Sequence, residues 1–69
     1  MEERVVPGQT YAEVRAILGQ DGTDIGSGMF LYQWELENGE KLLVWFRESG
    51  KKNSKYPDDL IVSERRVTG

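Results

Sequence analysis

Apolar residues recur along this chain in two different rhythms. Near the N-terminus Val14, Ile17 and Leu18 fall at helical spacing. Thr10 stands ahead of them as an N-cap, and Glu13 follows three positions later, the spacing of a capping box. Gly19 occupies the place of a left-handed C-terminal cap, while Pro7 and Gly8 bar an earlier start. The pattern predicts a helix over 10–18.

The second rhythm is that of strands. MFLYQWELE at 29–37 and KLLVWFRE at 41–48 are rich in aromatic and branched residues, and Asn38-Gly39 lies between them as a hairpin turn. A two-residue turn would pair Glu37 with Glu40 and put Phe30, Tyr32, Trp34 and Leu36 on one face with Lys41 and Arg47. A three-residue turn with a glycine bulge pairs Glu37 with Lys41 instead. Tyr32, Trp34 and Leu36 then share a face with Leu42, Val44 and Phe46. A one-residue slip would send that whole set to solvent, so burial selects the three-residue turn. The opposite face then carries Leu31, Gln33, Glu35, Leu43, Trp45 and Arg47.

LIVSERRV at 60–67 reads as a third strand, apolar and then charged like an exposed edge. Val5 and Val6 add a short extended segment, which allows a fourth. Residues 19–28 and 49–59 read as flexible loops. The expected fold is α+β: one N-terminal helix on one face of an antiparallel sheet of three strands, or four, in a single small domain over 1–69.

Composition narrows the chemistry. Of the 69 residues 38% are hydrophobic and 30% charged, which leaves a thin core and no room for a second domain. The chain has no cysteine and no histidine, so it lacks a disulfide, a thiolate metal site and the commonest catalytic base. The longest apolar run, Leu42–Phe46, is far short of the roughly 20 residues that span a bilayer. Met1-Glu2-Glu3-Arg4 lacks the regions of a signal peptide. The location expected is cytoplasmic for a complete chain, and extracytoplasmic for one whose leader has been removed.

Candidate catalytic groups are few. The glycine-rich stretch 19–28 follows a helix instead of opening one, unlike phosphate loops, and Asp21 and Asp24 lack the spacing of a calcium loop. Glu35, Glu37 and Glu40 near the hairpin imitate an acid–base pair, but residues beside such a turn are solvated. Ser49-Gly50-Lys51-Lys52 matches a serine-x-x-lysine string in a loop, where that motif has no meaning. No catalytic residue, cofactor or metal is assigned.

The order of these elements resembles a known family. GQTYAEVRAILG, a glycine-rich gap, LYQWELENGEKLLVWF and LIVSERR are similar to the repeat unit of the β-lactamase inhibitory protein family and of the related small outer-membrane assembly lipoproteins. The matching positions are Gly8, Thr10, Val14, Leu18, Gly19, Tyr32, Trp34, Val44 and Phe46, within residues 8–66. The resemblance implies a bacterial chain with helix packed on antiparallel sheet. It also implies an aromatic-rich sheet surface that docks an enzyme's loop, or a scaffold in a membrane assembly. This chain departs from the pattern at Gln9, often apolar in the family, in the longer segment 49–59, in lacking a lipid-attachment cysteine, and in comprising one unit only.

The function expected is a non-catalytic, inhibitor-like protein-binding module that docks a partner, or a second copy of itself, through Leu31, Gln33, Leu43, Trp45 and Arg47. A tryptophan and two leucines beside an arginine have the composition favoured at interfaces. An alternative uses the basic segment 47–56 for nucleic acid, with Lys51, Lys52 and Lys55 beside Arg47 and Tyr56 available for stacking. The formal charge of −3 works against it. A third reading is a purely structural or engineered minimal repeat.

Overall fold

The computed structural model describes residues 2–26, 28–50, 52–53 and 55–69. Thr10 and Glu13 form the reciprocal capping box. Thr10 Oγ1 accepts from the Glu13 N–H at 3.2 Å, and Glu13 Oε1 accepts from the Thr10 N–H at 3.2 Å. Helix α1 (Tyr11–Leu18) starts there and leaves through Gly19, whose N–H bonds the Arg15 carbonyl at 2.7 Å.

Four strands follow in chain order, β1 (Thr23–Asp24), β2 (Phe30–Glu35), β3 (Lys41–Arg47) and β4 (Ile61–Thr68). They form one antiparallel sheet in the order β1-β2-β3-β4. The described residues thus form one α-helix and a four-stranded antiparallel sheet, an α+β arrangement.

The fourth strand is not where the sequence suggested. It lies inside the glycine-rich stretch 19–28, as a two-residue strand paired with Tyr32 and Gln33. Residues 2–4 form a 3-10 turn, and Val5 is fully buried instead of extended at an edge. Pairing begins only after Pro7, which has no N–H to donate. The Gly8 N–H reaches the Val62 carbonyl at 3.0 Å, the Val62 N–H reaches the Gln9 carbonyl at 2.8 Å, and Thr10 bridges Ile61. The Gln9 side chain closes the turn before it, accepting from the Val6 N–H and donating to the Arg4 carbonyl, both at 3.0 Å.

The hairpin between β2 and β3 corrects the expected register. Lys41 pairs with Glu35, not with Glu37. The turn has three residues, Glu37-Asn38-Gly39, closed by the Gly39 N–H on the Leu36 carbonyl at 3.1 Å and the Leu36 N–H on the Glu40 carbonyl at 2.8 Å. Gly39 sits at φ 85 in the last turn position, where a type I turn with a glycine bulge needs a left-handed residue. The expected pairing would have put Gly39 in the middle. Moving it to the end shifts the register by two residues, which leaves every side chain on its face.

Tyr32, Trp34, Leu42, Val44, Phe46 and Val62 therefore share the inner face with Tyr11 and Val14 of the helix, all buried, with Ile17, Leu18 and Leu36 packed against them. The Tyr11 ring lies 5.0 Å from Tyr32, 5.8 Å from Trp34 and 5.5 Å from Phe46, within the range of favourable aromatic pairs. The segment after the helix closes round Trp34. The Trp34 indole N–H donates to the Gln20 carbonyl at 2.8 Å, and Gly22 lies so close that a Cβ there would stand 2.7 Å from the ring.

The segment 49–59, expected as a flexible loop, is tied down at its far end. The Asp59 N–H bonds the Lys55 carbonyl at 2.7 Å, and the Leu60 N–H bonds the Pro57 carbonyl at 3.0 Å. The Arg15 guanidinium reaches Asp58 at 2.9 Å, which holds the Arg15 pKa above its ordinary value.

A candidate docking face on the sheet

The other face of the sheet is set by alternation. On β2 it carries Leu31, Gln33 and Glu35, and on β3 Lys41, Leu43, Trp45 and Arg47. Four of the five residues expected at the partner site form two cross-strand pairs, Leu31 opposite Trp45 and Gln33 opposite Leu43. All four are partly buried by one another and by their strand neighbours. The fifth, Arg47, is exposed at the end of β3 opposite Ile61.

Sequence reasoning missed several members of this face. Thr23 pairs with Gln33, and one alternation further the Ile25 N–H bonds the Leu31 carbonyl at 3.0 Å, so Ile25 joins the face beside Leu31 and is 44% exposed. The threonine–aspartate–isoleucine alternation was the only signal, inside a stretch dominated by glycine. On β4 the face continues with Ile61, Glu64, Arg66 and Thr68.

The β4 assignment depends on a bulge. Phe46 stands opposite Val62, but Trp45 stands opposite Glu64, so Ser63 is an extra residue. Beyond it Glu64 and Arg66 turn outward, whereas Arg65 and Val67 turn to the inner face opposite Val44 and Leu42. Arg65 Nη1 is buried there without a hydrogen-bond partner among the described residues.

The helix and the turn at 55–60 both send their side chains to the inner face, through Tyr11, Val14, Tyr56 and Leu60. Among the described residues no helix or strand lies over the outer face. Of the seven aromatic side chains, Trp45 alone has no ring contact, and its indole N–H has no hydrogen bond, among the described residues.

The basic segment is arranged differently. Lys51 lies outside the described residues. Lys52 and Lys55 are exposed, and the Lys55 N–H is held by the Asp59 carboxylate at 2.7 Å. Tyr56 is 63% exposed, but its hydroxyl lies 2.8 Å from that of Tyr32 and its ring 5.8 Å from Phe30, at the rim of the inner face. Burial, then the bond to Tyr56, pushes the Tyr32 phenol well above its usual range. Arg47 projects from the other face, so the structure does not bring Arg47 and Tyr56 together.

An open cleft of about 440 Å³ lies between the end of α1 and the hairpin turn, lined by Leu18, Gln20, Glu35, Leu36, Glu37 and Asn38. It holds two of the carboxylates weighed for acid–base work. Among the described residues no group of three His, Cys, Asp or Glu side chains is placed to hold a metal ion. No described helix is long and apolar enough to cross a membrane. No family model, no curated protein and no solved structure matches this chain.

Proposed function

We propose that this chain is a non-catalytic protein-binding module that docks a protein through the outer face of its sheet. The observation that carries this reading is the contiguous set Ile25, Leu31, Leu43 and Trp45, flanked by Arg47 and left without a covering element among the described residues. An apolar centre containing a tryptophan, with charged residues around it, is the anatomy of an interface. The resemblance of residues 8–66 to bacterial inhibitor repeats supports the same reading and makes the mode of action inhibitor-like.

Affinity capture with the intact chain as bait tests it. A partner retained by the wild type and by Lys52→Ala/Lys55→Ala, but lost with Trp45→Ala, is the expected outcome. Retention that ignores Trp45 and follows the lysines overturns the reading in favour of the basic segment. In that case the nucleic-acid alternative predicts binding that weakens steeply with added salt.

A further inference from the structure

We infer that the occupant of the outer face is a second copy of this chain, laid sheet to sheet in a symmetric dimer. The inference rests on the docking reading above and names its partner. An isologous interface must be complementary to itself, because each residue that meets another is met by it in turn. The outer face has that property. One row across the sheet runs Thr23, Gln33, Leu43, Arg66, and the next runs Ile25, Leu31, Trp45, Glu64.

A two-fold axis lying between the sheets, crossing the strands midway between these rows, exchanges them. Trp45 then meets Leu43 of the second copy, and Glu64 meets its Arg66. Both contacts occur twice. Leu31 likewise covers Gln33 of the second copy and Ile25 its Thr23, while the charged column on β4 pairs with its opposite. A face of one sign would repel its own copy. This face carries both signs, Glu35 and Glu64 with Lys41, Arg47 and Arg66, although the chain as a whole carries −3.

Lys41 and Arg47 occupy the outermost rows, about 10 Å from the axis at a strand rise of about 3.4 Å per residue. Aligned sheets cross at about 30°, which carries those rows sideways by about one strand spacing, so the two cations are not held opposite each other. Three long strands of six to eight residues offer a face of roughly 15 by 20 Å. That falls short of the ~800 Å² per partner of a standard interface, so the dimer is weak and reversible and is expected to form only in the micromolar range or above.

Analytical ultracentrifugation of the intact chain from about 5 to 500 μM at low salt spans that range. The wild type is expected to pass from one-chain to two-chain mass, and Trp45→Ala to stay monomeric. Glu64→Arg and Arg66→Glu are each expected to weaken the dimer by about tenfold or more, since each leaves two like-charge contacts. The double exchange Glu64→Arg/Arg66→Glu is expected to restore it, because the axis only swaps the two members of each pair. Circular dichroism checks that every variant folds.

A wild type that stays monomeric at the highest concentration overturns the inference, as does a double exchange no tighter than either single change. Should the wild type be monomeric while capture of another protein still depends on Trp45, only the identity of the occupant is wrong. If neither self-association nor capture depends on Trp45, the docking reading falls too.

Discussion

The two tryptophans stand on adjacent strands and on opposite faces of the same sheet, and they are used in opposite ways. Trp34 is 1% exposed, hydrogen-bonded through its indole N–H, and surrounded by Tyr11, Tyr32 and Phe46. Trp45 is partly buried against Leu31 and its strand neighbours, and has neither a ring contact nor a hydrogen bond among the described residues. The inner face packs its aromatic rings against one another within the chain. The outer face has apolar area to spare. Burial and polar satisfaction together, more than residue type, separate a structural tryptophan from one available for binding.

The largest test of that contrast is a pair of truncations. Trp34→Ala removes a fully buried ring and is expected to destabilise by about 3–5 kcal/mol, enough to unfold a domain of this size. Trp45→Ala is expected to cost about 1–2 kcal/mol at low protein concentration, where no partner is bound. Urea denaturation monitored by circular dichroism measures both. Equal losses would erase the distinction between the faces.

Gly22→Ala attacks the inner face without touching Trp34 itself. A Cβ there would meet the indole at 2.7 Å, so the ring must shift, at an expected cost of about 1–3 kcal/mol. The same denaturation experiment reads it. An unchanged midpoint would show that the segment after α1 does not clasp Trp34. Thr10→Ala loosens the element that delivers Tyr11 to the core and is expected to cost about 1 kcal/mol.

The loss of stability in alkali carries a contribution from the inner face. Burial raises the phenol pKa of Tyr11, opposed by its bond from the Gly22 N–H, and burial together with the Tyr56 bond raises that of Tyr32. The unfolded chain therefore loses these protons first, from about pH 10. Stability from this source is complete below that pH and falls as the pH climbs toward the folded values. Urea midpoints at about pH 8 and 11 are expected to show the drop, and Tyr32→Phe to reduce it. A midpoint insensitive to alkali would mean that the two phenols ionise as freely in the fold as outside it.

The helix could be read from the chain because Thr10, Glu13 and Gly19 act locally, each on backbone groups within a turn of itself. The division of β2 and β3 into two faces was legible for a different reason, since alternation is fixed by parity. Register was not, because parity is indifferent to a shift of two, and the left-handed position needed by Gly39 decided between the candidates. Strand β1 escaped because two exposed residues become a strand only through their partner. On the candidate face Leu31, Gln33, Leu43, Trp45 and Arg47 followed from the same parity. Ile25 was hidden among glycines, and Glu64 and Arg66 were hidden by a bulge that leaves no mark in composition.

That bulge works like a reading frame. Strands are read in steps of two, and Ser63 is a single inserted letter that changes what every later position of β4 says. Draw Ser63 into the ladder opposite Trp45, and Arg65 and Val67 would face outward while Glu64 and Arg66 turned toward the core. The alternating charges beside Trp45 would become one cation and one valine, and Leu42 would lose its apolar neighbour. The chemical identity of the face is therefore written by a serine that is not part of it. Straightening the bulge with Ser63 in place would rewrite the whole column at once, deleting Ser63 would leave it as it is, and substitutions change it one position at a time.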